Sequence, residues 1–398
     1  MTAAAPSGMV RWMDGPLSPR RRAARIAVAA GAALVVVVAV VVTRDGDDEP
    51  ERAAPSGSTV DLPHLQDVPL MVYGDSWSTI GSWHSRGHHW SDLLAARPGV
   101  GPLVNKGIGG STIEDTANLI GGDTDAAWPH PATPTCVIVM TSLNAAIRPD
   151  TALANRERSL ESVRAAATTV AAVALADEFS EDRDDLITYE GGDWVAYPGL
   201  ALEGGSLLRS SSGAITFTVP EGYERRQLWM ATIIGAETTT YSLERNGIRL
   251  GERTTPISEV QSPVFSKFLL PVGKVDAGDV ITVRHVAGTF WFDGIYVDSG
   301  KHHVVFATEP DELPNSGYAN AAQNRAHNQV LREVVAEVNR LVPHGASLID
   351  LEAAFGWDPT TMTGPDRIHP NDAGQEWILS VILDDLRGVP DTRRLQPS

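Results

Sequence analysis

Four short polar segments of this sequence contain the residue types that a serine-based hydrolysis needs. A serine hydroxyl attacks a carbonyl only after a base has taken its proton, and N–H donors must stabilise the oxyanion that then forms. The sequence offers Ser76, a glycine-rich run at residues 105–112, the amide of Asn144, and an acid three residues before an imidazole within residues 366–370. Together these segments could provide a nucleophile, oxyanion donors and an oriented general base.

Each segment also has an ordinary structural explanation when it is taken alone. Gly-Asp-Ser at residues 74–76 is typical of a turn, and the glycine-rich run is equally a loop, since its spacing lacks the dinucleotide-binding fingerprint. Asn144 suits a turn, and His369 stands just before Asn371, a suitable helix N-cap. Chemistry is indicated only by the order and placement of all four segments together.

The elements that must position these segments alternate between strand and helix. Strands are predicted at residues 69–73, 103–105, 136–140, 304–308 and 346–351, and helices after the Gly-Asp-Ser turn and at residues 151–176, 320–341 and 371–386. The apolar run at 136–140 is typical of a parallel strand that is covered on both faces. Because open α/β sheets bind ligands at the carboxyl ends of their strands, we expect the polar segments to meet there, with Ser76 near the start of a helix.

The α/β pattern is interrupted between residues 178 and 300, where short β-branched runs are bounded by Gly or Pro. Such runs occur at residues 215–219, 228–234 and 279–283. The pair Asn246-Gly247 between two further runs predicts a β-hairpin, because both residues readily take the positive φ angles of a type I′ turn. We therefore expect an inserted all-β sandwich.

The N-terminus carries an apolar run, residues 26–43, of about the length that crosses a ~30 Å hydrocarbon core. Arginines precede this run and acidic residues follow it, so the positive-inside rule predicts a cytoplasmic tail at 1–25 and an exported remainder. A cleaved signal peptide is the alternative, although the run is long and lacks a small-x-small cleavage site. Residues 44–66 then form a linker, and the protein is predicted to be a single-pass cell-membrane protein with an extracellular catalytic domain.

Charge, cysteine and histidine content exclude several other functions. The formal net charge of −18 makes a nucleic-acid partner unsuitable, because phosphate binding requires clustered Lys and Arg. The single cysteine, Cys136, lies in an apolar run and is expected to be a buried thiol. His84, His88 and His89 lack an acidic partner at ligand spacing, so we expect a solvated or substrate-rim segment there and predict no metal and no cofactor.

The four segments, in this order, resemble those of the SGNH hydrolase family, also called GDSL esterases and lipases. The resemblance covers residues 68–176 and 302–386, and it implies a flavodoxin-like three-layer α/β/α sandwich. It further implies Ser76 as the nucleophile, with Asp366 and His369 as orienting acid and general base. The implied oxyanion donors are the backbone N–H groups of Ser76 and Gly110 and the side chain of Asn144. The third segment departs from the family pattern Gly-x-Asn-Asp, since it reads Ser142-Leu143-Asn144-Ala145.

The all-β insertion resembles the jelly-roll carbohydrate-binding modules of secreted glycan enzymes, and this resemblance implies a jelly-roll-like sandwich. Trp194, Trp229 and Trp291 could stack on sugars or form the core of the sandwich. The expected organisation is a hydrolase domain at 67–177 and 301–388, the insertion at 178–300 and a tail at 389–398. The expected function is a membrane-anchored, extracytoplasmic serine esterase that hydrolyses an O-acyl ester, such as O-acetyl, on an acylated glycan. The alternatives are an O-acyltransferase acting on envelope glycans and an inactive glycan-binding protein.

Overall fold

The computed structural model describes residues 68–81, 84–121, 135–141, 144, 160–180, 185–197, 207–234, 237–256, 266–310 and 321–389. The predicted tail at 1–25, membrane anchor at 26–43 and linker at 44–66 lie outside these residues, as does the C-terminal tail from residue 390. Within the described part of the chain, no helix has the length and apolar character that a membrane crossing requires.

The described elements are seventeen strands and six helices. The strands are β1 (Leu70–Gly74), β2 (Leu103–Asn105), β3 (Cys136–Met140), β4 (Ala176–Ser180), β5 (Ile187–Glu190), β6 (Val195–Tyr197), β7 (Leu207–Ser210), β8 (Ala214–Thr218), β9 (Arg226–Ile234), β10 (Thr240–Arg245), β11 (Ile248–Thr254), β12 (Ser266–Val275), β13 (Val280–Ala287), β14 (Phe290–Phe292), β15 (Gly294–Asp298), β16 (His303–Ala307) and β17 (Ala346–Ile349). The helices are α1 (Trp90–Ala95), α2 (Ile113–Gly121), α3 (Leu160–Leu175), α4 (Ala321–Leu341), α5 (Pro359–Met362) and α6 (Asp372–Leu386).

A five-stranded parallel sheet forms the centre of the α/β part. Its strands lie in the order β17-β16-β3-β1-β2, and every neighbouring pair is parallel. Numbered along the chain within this sheet, the order is 2-1-3-4-5, which is the flavodoxin-like arrangement. The predicted mixed α/β fold around a parallel sheet is confirmed. From β1 the chain continues to β2 on one side of the sheet, and from β3 it continues to β16 on the other side. A ligand crevice is therefore expected at the carboxyl ends of β1 and β3.

Both faces of this sheet are covered by helices, because its strands are apolar on both sides. Met71 and Tyr73 of β1 pack in one cluster with residues of α2, α3 and α4. Leu70 and Val72 face the other way and pack with residues of α1 and α6. All five residues of β3 are buried, including Cys136, as the sequence predicted. The result is a three-layer arrangement that holds the ends of β1 and β3 rigidly.

The region between α3 and β16 is an antiparallel β-sandwich. One sheet has the order β11-β10-β13-β8-β5 and a second has the order β12-β9-β15-β4, while β14, β7 and β6 form a third, smaller sheet. Side chains of the first two sheets, such as Phe217 and Met230, share one core cluster. The predicted hairpin is present, with β10 paired to β11 and φ angles of 53° at Asn246 and 77° at Gly247.

The sandwich packs against the helical layer of the α/β part. Trp229, Leu269 and Tyr296 belong to the same core cluster as residues of α3. The Leu269 N–H donates to Thr169 Oγ1 of α3 at 3.3 Å. Trp229 is therefore a packing residue between the two parts.

The segment after β1 differs from its predicted form. A helix was expected directly after Gly-Asp-Ser, but residues 75–79 form only a hydrogen-bonded turn and the first helix, α1, begins at Trp90. Ser76 is therefore not at a helix start, and this prediction is wrong. The physical reason is that the carbonyl oxygens of Trp77 and Ser78 accept hydrogen bonds from side chains of other segments, which replace the backbone hydrogen bonds of a helix.

Candidate active site

The turn that carries Ser76 is fixed by the end of β1. Gly74 has φ 147°, and a Cβ atom at this position would lie 1.9 Å from the Met140 carbonyl oxygen, so only glycine fits there. The Asp75 N–H donates to the same carbonyl oxygen at 3.1 Å. Ser76 itself is half-buried. The chain thus leaves the sheet between β1 and β3 with the serine at its carboxyl edge.

Asp75 is a structural residue of the site that the sequence did not predict. Its side chain is buried, Oδ1 accepts the Trp77 N–H at 2.9 Å, and Oδ2 accepts Asn144 Nδ2 at 3.0 Å. Its carbonyl oxygen accepts the N–H groups of Ser78 and Thr79 at 3.1 and 3.0 Å. Asp75 therefore closes the turn around Ser76 and connects it to the segment after β3.

The glycine-rich loop after β2 runs beside this turn. The Ile108 N–H donates to the Gly74 carbonyl oxygen at 2.8 Å, and Ser111 Oγ donates to it at 2.9 Å. A Cβ atom at Gly109 would lie 3.9 Å from the Ser76 Cβ, and Gly110 has φ 81°. The loop with the predicted oxyanion donor Gly110 is therefore brought against Ser76.

Asn144 lies in the same group of residues, but its amide is already used. Nδ2 donates to Asp75 Oδ2 and to the Ser111 carbonyl oxygen, both at 3.0 Å. Because a carbonyl oxygen only accepts, the bond to Ser111 fixes the amide orientation, and the two bonds together engage both hydrogens of Nδ2. Asn144 thus links the first three segments, and its role as an oxyanion donor stays a prediction that requires one of these bonds to be exchanged.

Asp366 and His369 form the fourth segment. His369 Nδ1 lies 2.6 Å from Asp366 Oδ2, and Asp366 Oδ1 accepts the N–H groups of Ile368 and His369 at 3.0 and 3.1 Å. Partial burial acts to raise the pKa of Asp366, but the bonds from His369 and the two N–H groups hold it below its usual value. An ionised Asp366 keeps the proton on Nδ1 and leaves Nε2 as the basic nitrogen.

Contacts beyond His369 connect its segment to the chain that follows Ser76. Asp372 accepts the Ser85 N–H and hydroxyl, both at 2.6 Å. The Trp77 and Trp357 rings lie 5.5 Å apart between centroids, so Trp77 is a packing residue.

No hydrogen bond between the Ser76 hydroxyl and His369 occurs among the described residues, and such bonds often form only when substrate is bound. Their pairing stays a prediction.

His89 is the site residue that the sequence misplaced. It was expected in a solvated or substrate-rim segment, but it is fully buried and accepts the Ser91 N–H as the N-cap of α1. Burial, and secondly the charge of His84, lower its pKa to about 4, although a hydrogen bond to the Trp77 carbonyl opposes this. His89 is therefore neutral near pH 7. Among the described residues, no group of three side chains is arranged to bind a metal ion.

No family model matches the sequence, and the search of curated proteins found no significant match. Solved structures with some similarity include LAE5, an α/β hydrolase from the metagenome of Lake Arreo, Spain, at 15% identity, covering 82% of this chain and 97% of that one, with a TM-score of 0.40. A two-domain esterase (CEX) active on acetylated mannans, co-crystallized with mannopentaose, matches at 10% identity, 60% and 92% coverage, and a TM-score of 0.29. The C-terminal CBM6 of LamC, a laminarinase from Zobellia galactanivorans, matches at 12% identity, 31% and 98% coverage, and a TM-score of 0.24. The similar structures thus include hydrolases and carbohydrate-binding modules.

Proposed function

We propose that this protein is a serine ester hydrolase of the SGNH type, with Ser76 as nucleophile, His369 as general base and Asp366 as its orienting acid. The observation that carries the proposal is the 2.6 Å contact between Asp366 Oδ2 and His369 Nδ1. This contact occurs in a segment tied by Asp372 to the chain that leaves the Ser76 turn. A carboxylate-bound imidazole is the base that a serine nucleophile requires.

In the proposed mechanism, Ser76 Oγ attacks the ester carbonyl while His369 Nε2 takes the hydroxyl proton. The negative charge that forms on the carbonyl oxygen is stabilised by the N–H groups of Ser76 and Gly110, together with Asn144 once it releases a partner. His369 then gives the proton to the leaving alcohol. Water enters, His369 takes one of its protons, and collapse of the second tetrahedral intermediate frees the acid and restores Ser76.

The proposed substrate is an O-acyl ester, such as O-acetyl, on a glycan outside the cytoplasm, with residues 26–43 as the anchor. In support, two aromatic rings of the small β14-β7-β6 sheet are accessible. Tyr197 is 43% exposed and Trp291 is half-buried, with ring centroids 5.7 Å apart, and the Arg209 guanidinium lies 5.5 Å from the Trp291 ring. Accessible aromatic rings of this kind suit stacking on sugar faces.

A hydrolysis assay with p-nitrophenyl acetate and acetylated polysaccharides tests the proposal. We expect turnover by the wild-type protein and a loss of at least about 1000-fold in Ser76→Ala, with an unchanged thermal melting curve. Because Ser76 makes no side-chain hydrogen bond to another described residue, its removal is a mild structural change. Retained turnover in Ser76→Ala would overturn the mechanism.

A second candidate is a glycan-binding protein without esterase activity. The engagement of both Asn144 amide hydrogens favours it, since the site then has one oxyanion donor fewer. Glycan binding by the wild-type protein without any ester turnover would support this candidate.

A further inference from the structure

The turn around Ser76 contains backbone carbonyl groups that would accept hydrogen bonds from backbone N–H groups if this segment were a helix. Because residues 75–79 form a turn and not a helix, the carbonyl oxygens of Trp77 and Ser78 need hydrogen-bond donors from other segments. Trp77 O accepts His89 Nε2 at 3.2 Å and Trp90 Nε1 at 3.0 Å. Ser78 O accepts Asn105 Nδ2 at 2.7 Å. Side chains from two other segments therefore hold the two residues that follow the nucleophile.

These donors belong to one network whose hydrogen-bond directions are fixed. A carbonyl oxygen only accepts, so His89 Nε2 must carry the proton and Nδ1 must accept. Nδ1 lies 2.7 Å from Ser91 Oγ, which therefore donates to it and itself accepts Asn105 Nδ2 at 2.9 Å. Every hydrogen-bond donor of this network has an acceptor. The directions of these bonds require His89 to be a neutral imidazole.

The same network reaches the glycine-rich loop. Asn105 Oδ1 accepts the Gly107 N–H at 2.8 Å, while Asn105 Nδ2 binds the carbonyl of Ser78. A Cβ atom at Gly107 would lie 2.7 Å from the Ser78 carbonyl carbon, which shows how closely the loop and the turn approach. One set of side chains thus sets the position of the nucleophile turn relative to the loop that carries Gly110.

We propose that His89, Ser91 and Asn105, here called the His89 network, position Ser76 against the oxyanion loop. The inference rests on the proposed function, and His89 acts as a positioning residue through the Trp77 carbonyl rather than by touching substrate. Loss of its Nε2–H leaves the Trp77 carbonyl with Trp90 Nε1 as its remaining side-chain donor and lets the turn move relative to Gly110. A displacement of about 1 Å at a reacting group can lower a rate by about 100-fold.

A comparison of His89→Leu and His89→Gln tests this role, because a Gln amide can replace the Nε2–H donor whereas Leu cannot. With p-nitrophenyl acetate, we expect His89→Leu to lower kcat about 10- to 100-fold with KM within about twofold. We expect His89→Gln to restore kcat to within about threefold of wild type. Ser91→Ala, a milder change in the same network, should lower kcat by a few-fold and covers the case in which His89→Leu does not fold.

The matched control is His302→Leu, because His302 is also buried and its pKa is also lowered to about 4 by burial. It stands before β16, at the amino end of that strand and away from the carboxyl edge of the sheet where Ser76 lies, so its replacement should leave kcat unchanged. Wild-type turnover with an unchanged kcat in both His89→Leu and Ser91→Ala would overturn the inference and leave the proposed function standing. Equal losses in His89→Leu and His89→Gln would also overturn it. Absence of turnover in the wild-type protein would overturn both.

Discussion

Two regions of the molecule bury polar side chains in opposite ways. One is the carboxyl edge of the parallel sheet around Ser76, here called the site edge, and the other is the contact between the sandwich and the helical layer. At the site edge, the His89 network is neutral and each donor has an acceptor. At the contact, Lys267 and Asp293 are buried as an ion pair with Nζ and Oδ2 3.3 Å apart, and Lys267 Nζ lies 2.5 Å from the Tyr296 hydroxyl.

The difference shows what each region requires. A neutral network fixes directions through hydrogen bonds without a desolvated charge, which suits a turn that must hold a nucleophile. A buried ion pair stabilises little in net terms, since desolvation offsets the attraction, but removing one partner leaves the other charge uncompensated. The same desolvation raises the pKa of Asp293, although the charge of Lys267 opposes this.

The largest expected effect is on catalysis at the site edge. Asp366→Asn should lower kcat for p-nitrophenyl acetate by about 100- to 10,000-fold, because the imidazole loses its orienting acid. The Asp366 side chain is 32% exposed, so the free energy of unfolding should change little. Steady-state kinetics together with a melting curve check both parts. A full kcat in Asp366→Asn would remove His369 from the mechanism.

Replacing one partner of the ion pair should have the opposite result, a loss of stability with unchanged activity. Lys267→Met should lower the free energy of unfolding by about 3 kcal/mol, because Asp293 stays buried without its cation. The double variant Lys267→Met with Asp293→Leu should recover most of this loss, and kcat below the melting transition should match wild type in both. Denaturant unfolding measures the two changes. An unchanged stability in the single variant would contradict the description of the pair.

Acidification should lower the stability of the folded protein through three buried histidines. Burial lowers the pKa values of His89, His302 and His303 to about 4, so the unfolded chain binds more protons between about pH 6.5 and 4. Their stabilisation is complete above about pH 6.5 and is lost as the pH falls toward 4, by roughly 3 kcal/mol for each histidine. Unfolding free energies measured across this range should fall less steeply in His302→Leu than in wild type. Equal slopes would show that His302 is not held neutral.

The smallest expected effect concerns the aromatic face of the sandwich. Trp291→Ala should weaken binding of an acetylated glycan by about fivefold, since one stacking surface contributes about 1 kcal/mol. The same variant should hydrolyse p-nitrophenyl acetate at the wild-type rate, because the small substrate does not reach this face. Equal glycan affinity in both proteins would place the glycan elsewhere.

Features that depend on local sequence were predictable. The apolar run of β3, the Asn246-Gly247 hairpin and the N-cap of α6 at Asn371 each follow from residues next to one another. The contact between Asp366 and His369 spans three residues, and the resemblance to the SGNH family implied it. In such cases, the neighbouring residues alone determine the geometry.

Features that depend on distant partners were not predictable. Asp75 and Asn144 are 69 positions apart, and the bonds of Asn144 to Asp75 and to the Ser111 carbonyl together engage both of its amide hydrogens. The histidine-rich segment suggested exposure at His89, yet folding encloses that ring between Trp77 and Ser91. Polar neighbours in the sequence cannot reveal such burial, because the enclosing groups belong to other segments.

Labelling with a fluorophosphonate probe, followed by peptide mass spectrometry, tests most directly whether Ser76 and His369 share one catalytic site. We expect a single adduct on Ser76 in the folded wild-type protein, and labelling at least about 100-fold slower in His369→Gln. An unlabelled Ser76, or equal labelling rates in the two proteins, would contradict a shared site.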